Sequence, residues 1–148
     1  MTSKDPNHLE RSTREHVHLL CSRFRAAMGG SHYLTVACTW RDGAAQAKAL
    51  AEGRSTKGPG ASKHNILAAD GSKRSCACDL LVTEASTGRT LECSTPSEFA
   101  LYQAAGEIWE SFGGRWGGRW RRLCDPGHFE APGKQADLAA GGEPKWAK

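Results

Sequence analysis

The sequence predicts a small α+β domain, its helices packed on one side of an antiparallel sheet. Two stretches repeat apolar residues at helical spacing: Val17, Leu20, Phe24 and Met28, then Phe99, Tyr102, Ala105, Trp109 and Phe112. Others, such as "HYLTVACTW", alternate and are rich in strand formers. The two kinds of segment do not follow one another in regular βαβ order, which argues against a parallel sheet covered by helices on both faces. The chain has 148 residues, room for one hydrophobic core and too few for two ordinary ones.

The first helix is expected from about Leu9 to Met28, stopped by Gly29-Gly30. His32 to Trp40 reads as a strand. The alanine-rich stretch from Gly43 to Gly53, bounded by glycines, reads as a short helix. "RSTKGPGASK", Arg54 to Lys63, has turn chemistry and reads as a loop. Cys76 to Val82 and Arg89 to Ser94 read as two strands about an "STG" turn. The next helix announces its start: Thr95 is an N-cap, Pro96 suits the first turn, and Glu98 completes a capping box. Gly113 ends its apolar stripe. An aromatic-glycine segment, "GGRWGGRW", then leads into "DPGHFE". Pro132 to Lys148, rich in Gly, Ala, Pro and Lys, reads as a flexible C-terminal tail, leaving 1–131 as the folded domain.

Composition narrows the function classes. Hydrophobic residues make up 39% and charged residues 24%, an ordinary globular balance, and no apolar run approaches a membrane span, so no membrane insertion is expected. The start, "MTSKDPNHLERSTREH", lacks the apolar core of a signal peptide, so a cytosolic chain is expected unless something releases it. A net charge of +4 is too small to argue for nucleic acid. The six cysteines are expected as buried, reduced thiols, and the Cys76-x-Cys78 pair lacks the spacing of common zinc knuckles.

A hydrolytic zinc site needs three protein ligands, an open position for water and a carboxylate beside that water. Of the six histidines, His8, His16 and His18 fall in the first helix region and are expected to face solvent. His32 has no companion ligand nearby. His64 in "SKHN" and His128 in "DPGHFE" stand out, because each has a carboxylate within reach along the chain. A lone histidine in a glycine-rich loop is more often a solvated one. Asp79 enters an apolar strand, where a buried carboxylate needs a partner, and a metal would serve. Trp109, Trp116 and Trp120 read as core and cleft wall before sugar-stacking platform, and "RWRR" as a solvated basic face.

The ordered pieces "RDGAAQAKALAEGR", "SKHN", "ACDLLV", "WESFGGRWGGRW" and "DPGHFE" resemble the zinc peptidases of the D-Ala-D-Ala metallopeptidase superfamily. The branch they look like is the phage endolysins that act as L-alanyl-D-glutamate endopeptidases. The resemblance covers about Leu34 to Glu130. It implies His64, Asp79 and His128 as ligands of one zinc ion per chain, and Asp125 as the catalytic acid-base three residues before the last ligand. It implies Arg41 as a catalytic residue facing the substrate, and Ser62 as support for the first ligand. Ser62, Arg54, Trp116 and Trp120 are expected to line the substrate's path.

Fourteen residues separate His64 from Asp79, more than relatives commonly have, and Asp70 lies nearer the usual spacing. Asp79 is preferred, because a strand holds a ligand rigidly whereas Asp70-Gly71 reads as a turn. The extra residues would then form a hairpin-like insertion. Arg119 stands where some relatives carry an acid. Glu130 stands where carboxypeptidase relatives carry a second histidine, which favours the endolysin branch. The expectation is a monomeric peptidoglycan endopeptidase of a phage. It would accumulate in the host cytoplasm and reach the wall after another protein permeabilises the membrane. The alternatives are a D-Ala-D-Ala carboxypeptidase or dipeptidase and a non-catalytic zinc-binding module.

Overall fold

The apolar stripe of the first helical stretch forms α1, Arg11–Ala27, in the computed structural model, which describes residues 1–148. The helix begins two residues later than the periodicity predicts because Glu10 is its N-cap. The Glu10 carboxylate accepts from the Ser12 and Thr13 amides, two donors left open by the first turn. Leu9 instead bridges to Ser75. The first strands are β1, Thr2–Ser3; β2, His32–Cys38; and β3, Trp40–Arg41. α2, Gly43–Ala51, is capped by Asp42, which accepts from the Ala45 amide. β4 spans Ala77–Glu84, and α3, Pro96–Ser111, starts at Thr95 as its capping chemistry predicts. β5, Arg115–Trp116, β6, His128–Glu130, and α4, Gln135–Ala139, complete the chain.

β2, β4, β6 and β5 form an antiparallel sheet in that order, and β1 pairs with β3 as a separate ribbon. Alternation along β4 decides what each face does. Cys78, Leu80 and Val82 enter the main core with Val17, Leu20 and Phe24 of α1 and Tyr102, Ala105 and Trp109 of α3. Asp79 lies between two of these core residues and therefore belongs to the other face, away from both long helices. On β6, Phe129 is in the core, and His128 and Glu130 share the face of Asp79. The structure is thus the expected α+β domain with helices on one side of an antiparallel sheet. No helix is long and apolar enough to cross a membrane.

Two expectations are corrected. Arg89 to Ser94 does not form a strand: only an isolated bridge, Thr83 to Thr90, joins it to β4. The ladder begins, with Glu84 N–H donating to Arg89 and Leu91 N–H to Val82. The Tyr102 hydroxyl then takes the next place, donating to the Leu91 carbonyl at 2.6 Å and accepting from Val82 N–H at 3.1 Å. Beyond it Cys93 turns the chain away with φ 62°.

The stretch expected as a flexible tail is seated on the domain. Leu138 of α4 packs with Ile66, Cys76 and Ala131. Trp146 stacks on His16 at 3.8 Å and donates to the Ser12 hydroxyl at 2.9 Å. His16 is therefore covered on one side rather than free in solvent. Two large apolar side chains in an otherwise small, polar stretch suffice to anchor it.

Candidate active site

Three segments meet on the open face of the sheet. β4 brings Asp79, β6 brings His128, and a single 3₁₀ turn, Lys63–Asn65, brings His64. Asp79 and His128 are direct partners across the β4–β6 ladder. Asp79 Oδ1 lies 3.0 Å from His128 Nδ1 and 3.3 Å from His64 Nε2. His64 Nδ1 faces the Thr39 carbonyl at 3.3 Å. A proton on Nδ1 is placed to donate to that carbonyl, which leaves Nε2 to face Asp79. Ser62 caps the 3₁₀ turn by accepting from the His64 amide.

Asp125 reaches the same spot through the turn that precedes β6. Donor atoms of Asp79, Asp125 and His128 lie within 4.8 Å of one another, as do those of Cys38, His64 and Asp79. Asp79 belongs to both sets. The Asp-Pro-Gly-His turn is clamped from three sides. Leu80 N–H donates to the Gly127 carbonyl at 2.7 Å, Trp116 Nε1 to Pro126 at 2.8 Å, and Asp125 N–H to Gly117 at 3.0 Å. Two glycines permit this closeness: a Cβ on Gly127 would meet Leu80 O at 2.8 Å, and one on Gly117 would meet Asp125 O at 2.4 Å.

The electrostatics separate the two carboxylates. Burial pushes Asp79 up, but His64 and His128 outweigh it and hold the carboxyl well below the usual range. Burial also opposes the charge on His64, yet Asp79 holds its imidazole up at about 10. Asp125 is raised, first by burial and then by the neighbouring Asp79 charge, with His128 and His64 pulling the other way.

The other expected residues divide. Arg41 lines the cleft, but its Nη2 donates to Asp79 Oδ2 at 3.0 Å, so it steadies Asp79. Arg54 lines the rim and pairs with Glu52 at 2.7 Å. Trp120 stands in the cleft with its ring 4.9 Å from that of His128. Trp116 does not line it: it is 2 % exposed, with its ring set over Gly106 and Gly118, where a Cβ would fall within 2.2 Å. The aromatic-glycine pattern is a packing device there, and the expectation that Trp116 contacts substrate is corrected. Asp70 sits in an exposed turn bound to Ser72. That turn closes a small hairpin in which Leu67 bridges Lys73, the insertion the long spacing predicts. Arg119 pairs with Glu110 across the surface.

Three neighbours were missed: Cys38, Gln46 and Lys63. Cys38 is buried with Sγ 3.9 Å from His64 Nδ1. A bulge between Val36 and Cys38 sets Cys38 opposite Asp79, where regular pairing would set Ala37. Gln46 is fully buried and binds Arg41, Ser55 and the Lys57 carbonyl, tying α2 to the cleft rim. Lys63 and Glu130 form a buried ion pair at 3.0 Å in the cleft floor, and Lys63 also donates to Ala131 O. Only the bulge leaves no trace in the sequence. Of the other thiols, burial pushes Cys21 to about 11 and Cys76 to about 12, whereas Cys124 is exposed, against the expectation that all six are buried.

A family model described as D-alanyl-D-alanine carboxypeptidase matches residues 56–131, just over half of the chain, and that span carries His64, Asp79, Asp125 and His128. Among solved structures, the L-Ala D-Glu endopeptidase ChiX of Serratia marcescens superposes with a TM-score of 0.55 at 19% identity, over 88% of this chain and 87% of that one. At that identity the likeness is one of fold. No curated protein sequence matches.

Proposed function

Because this chain belongs to the D-alanyl-D-alanine carboxypeptidase family of peptidases, we propose that it is a zinc-dependent endopeptidase of peptidoglycan, cutting the L-Ala-D-Glu bond of the peptide stem in the manner of a phage lysin. The observation that carries the reading is Asp79 Oδ1 set between His64 Nε2 and His128 Nδ1, with Asp125 beside them. Two imidazoles and one carboxylate are a donor set that suits zinc, and a ladder and a capped turn set each imidazole against the same Asp79 oxygen. The ligands proposed are His64, Asp79 and His128. A bound zinc would supply Lewis acidity and lower the pKa of a water from 15.7 toward about 7.

The chain's own residues do the rest. Asp125, with its proton affinity raised, takes a proton from the attacking water and returns it to the leaving amine. Thr39 and Arg41 orient His64 and Asp79 through the hydrogen bonds described above. Trp120 walls the cleft on the His128 side. Ser62 holds the His64 turn, and Arg54 stands at the rim to meet an anionic substrate. In this reading residues 1–131 are the catalytic domain and Pro132–Lys148 a strap over it. The protein works as a monomer, accumulates in the host cytoplasm and meets the wall once another protein opens the membrane.

The test is mass analysis of the fragments released from purified peptidoglycan, with zinc and with chelator. Zinc-dependent loss of the stem from L-Ala is the expected product. The family description favours one other reading, removal of the terminal D-Ala. Release of free D-Ala with the stem intact would install that reading instead. Equal products with and without chelator would end both.

A further inference from the structure

A second hollow adjoins the cleft and shares part of its lining. The deep part over His64, Asp125 and His128 encloses about 70 Å³. The adjoining hollow encloses about 270 Å³ and shares Lys57, Lys63, Trp120, Arg122 and Glu130 with it. The deep part holds little more than the bond being cut, so the remainder of a peptide must lie along the hollow. Its lining includes four cations, Lys57, Lys63, Arg115 and Arg122, against one carboxylate, Glu130. Lys63 already satisfies that carboxylate at 3.0 Å. Lys57, Arg115 and Arg122 have no ion-pair partner and no side-chain hydrogen bond within the chain, unlike the nearby Arg54 and Arg119, which are paired with Glu52 and Glu110. Three exposed, unpaired cations around one concave hollow give it a positive potential that attracts an anion.

We propose that the hollow lined by Lys57, Arg115, Arg122 and Trp120 is a subsite for a free carboxylate of the substrate, separate from the group bound at the scissile bond. The proposal rests on the peptidoglycan reading and deepens it. The two arginine forks suit a carboxylate bidentately, and Lys57 adds a point charge. Glu130 and Lys63 form the neutral floor between the two parts. The subsite makes the chain select stems whose carboxylates are free over stems in which they are amidated.

The probes are L-alanyl-γ-D-glutamyl-L-lysyl-D-alanine and two twins, one amidated at the D-Glu α-carboxyl and one at the C-terminus. Affinity is measured by calorimetry in the zinc-loaded Asp125→Asn chain, which binds without cutting. The same ratio is read from kcat/KM in the wild-type background. One amidated twin should bind about five- to tenfold more weakly than the parent, the sum expected of a few partly exposed charge pairs. In Lys57→Gln/Arg115→Gln/Arg122→Gln that gap should close, and Arg122→Lys with the other two residues intact should keep most of it. The gap should also shrink in high salt. Equal binding of parent and twins by the wild-type residues overturns the subsite, as does a triple variant that weakens all three peptides alike. Failure of the parent reading looks different: purified peptidoglycan is then not cut at the stem at all.

Discussion

Asp79 and Asp125 share one pair of histidines, yet their surroundings push them to opposite protonation behaviour. A carboxylate held charged suits a ligand, and one with raised proton affinity suits a proton acceptor. Asp79→Asn should therefore lose zinc, measured as metal bound per chain. Asp125→Asn should keep zinc and lose about a hundred- to ten-thousand-fold in rate of peptidoglycan cleavage. Because the Asp125 donor lies within 4.8 Å of those of Asp79 and His128, loss of zinc from Asp125→Asn would make it a ligand and end its role as base. Asp70→Ala, in its exposed turn, should leave zinc content unchanged. Gly127 is a steric prediction of another kind. A methyl there meets backbone, Leu80 O, which cannot swing aside. Gly127→Ala should cost about 1–3 kcal/mol in urea unfolding, and it should misplace His128 and so weaken zinc binding.

At the scale of elements, the cap of α1 gives a pH prediction. Burial raises the Glu10 carboxyl, but bonds from Ser12 and Thr13 outweigh it and hold the folded value below the ordinary 4.5. A depressed carboxyl contributes stability that is present above its unfolded pKa and lost as pH falls through the lower folded one. Glu10→Ala should cost about 0.5–2 kcal/mol near neutral pH. The gap from wild type should narrow in acid unfolding series below the ordinary carboxylate range. An unchanging gap would show that the side chain acts by packing alone. Elements with their own end signals were legible in the sequence: α3 carries Thr95, Pro96 and Glu98, and α2 carries its glycines. The second arm after the "STG" turn was not, because its ladder is interrupted by Tyr102, a residue from a different element. The candidate site was legible in its motif residues and illegible where backbone geometry decides. Nothing in "TVACTW" marks the bulge that turns Cys38 toward His64. "WGGRW" reads equally well as an exposed platform and as a ring buried over glycines.

Across the whole molecule, the last stretch ties distant parts together. Arg74 donates to the Leu138 and Gly142 carbonyls, Gln135 to Gly60 in the rim loop, and Ala147 N–H to Phe112 at the end of α3. Removing residues 132–148 should lower stability by about 3 kcal/mol or more, from the apolar surfaces of Leu138 and Trp146 alone, read as a lower urea midpoint. An unchanged midpoint would restore the flexible tail. One feature of the sheet reaches further. β6 is the last strand along the chain, yet it lies between β4 and β5. Asp79 and His128 are 49 positions apart, and loops of that length must close before their contacts can reward them. The sheet therefore cannot zip from one end as the chain emerges from synthesis; its middle is filled last, and the two proposed ligands Asp79 and His128 come together in that closing step. Zinc uptake during refolding should accordingly keep pace with burial of Trp109 and Trp116 and never precede it. A nascent chain that ends before Asp125 has neither the proposed base nor the third ligand, so the hydrolase is born silent and becomes active only as its fold is finished.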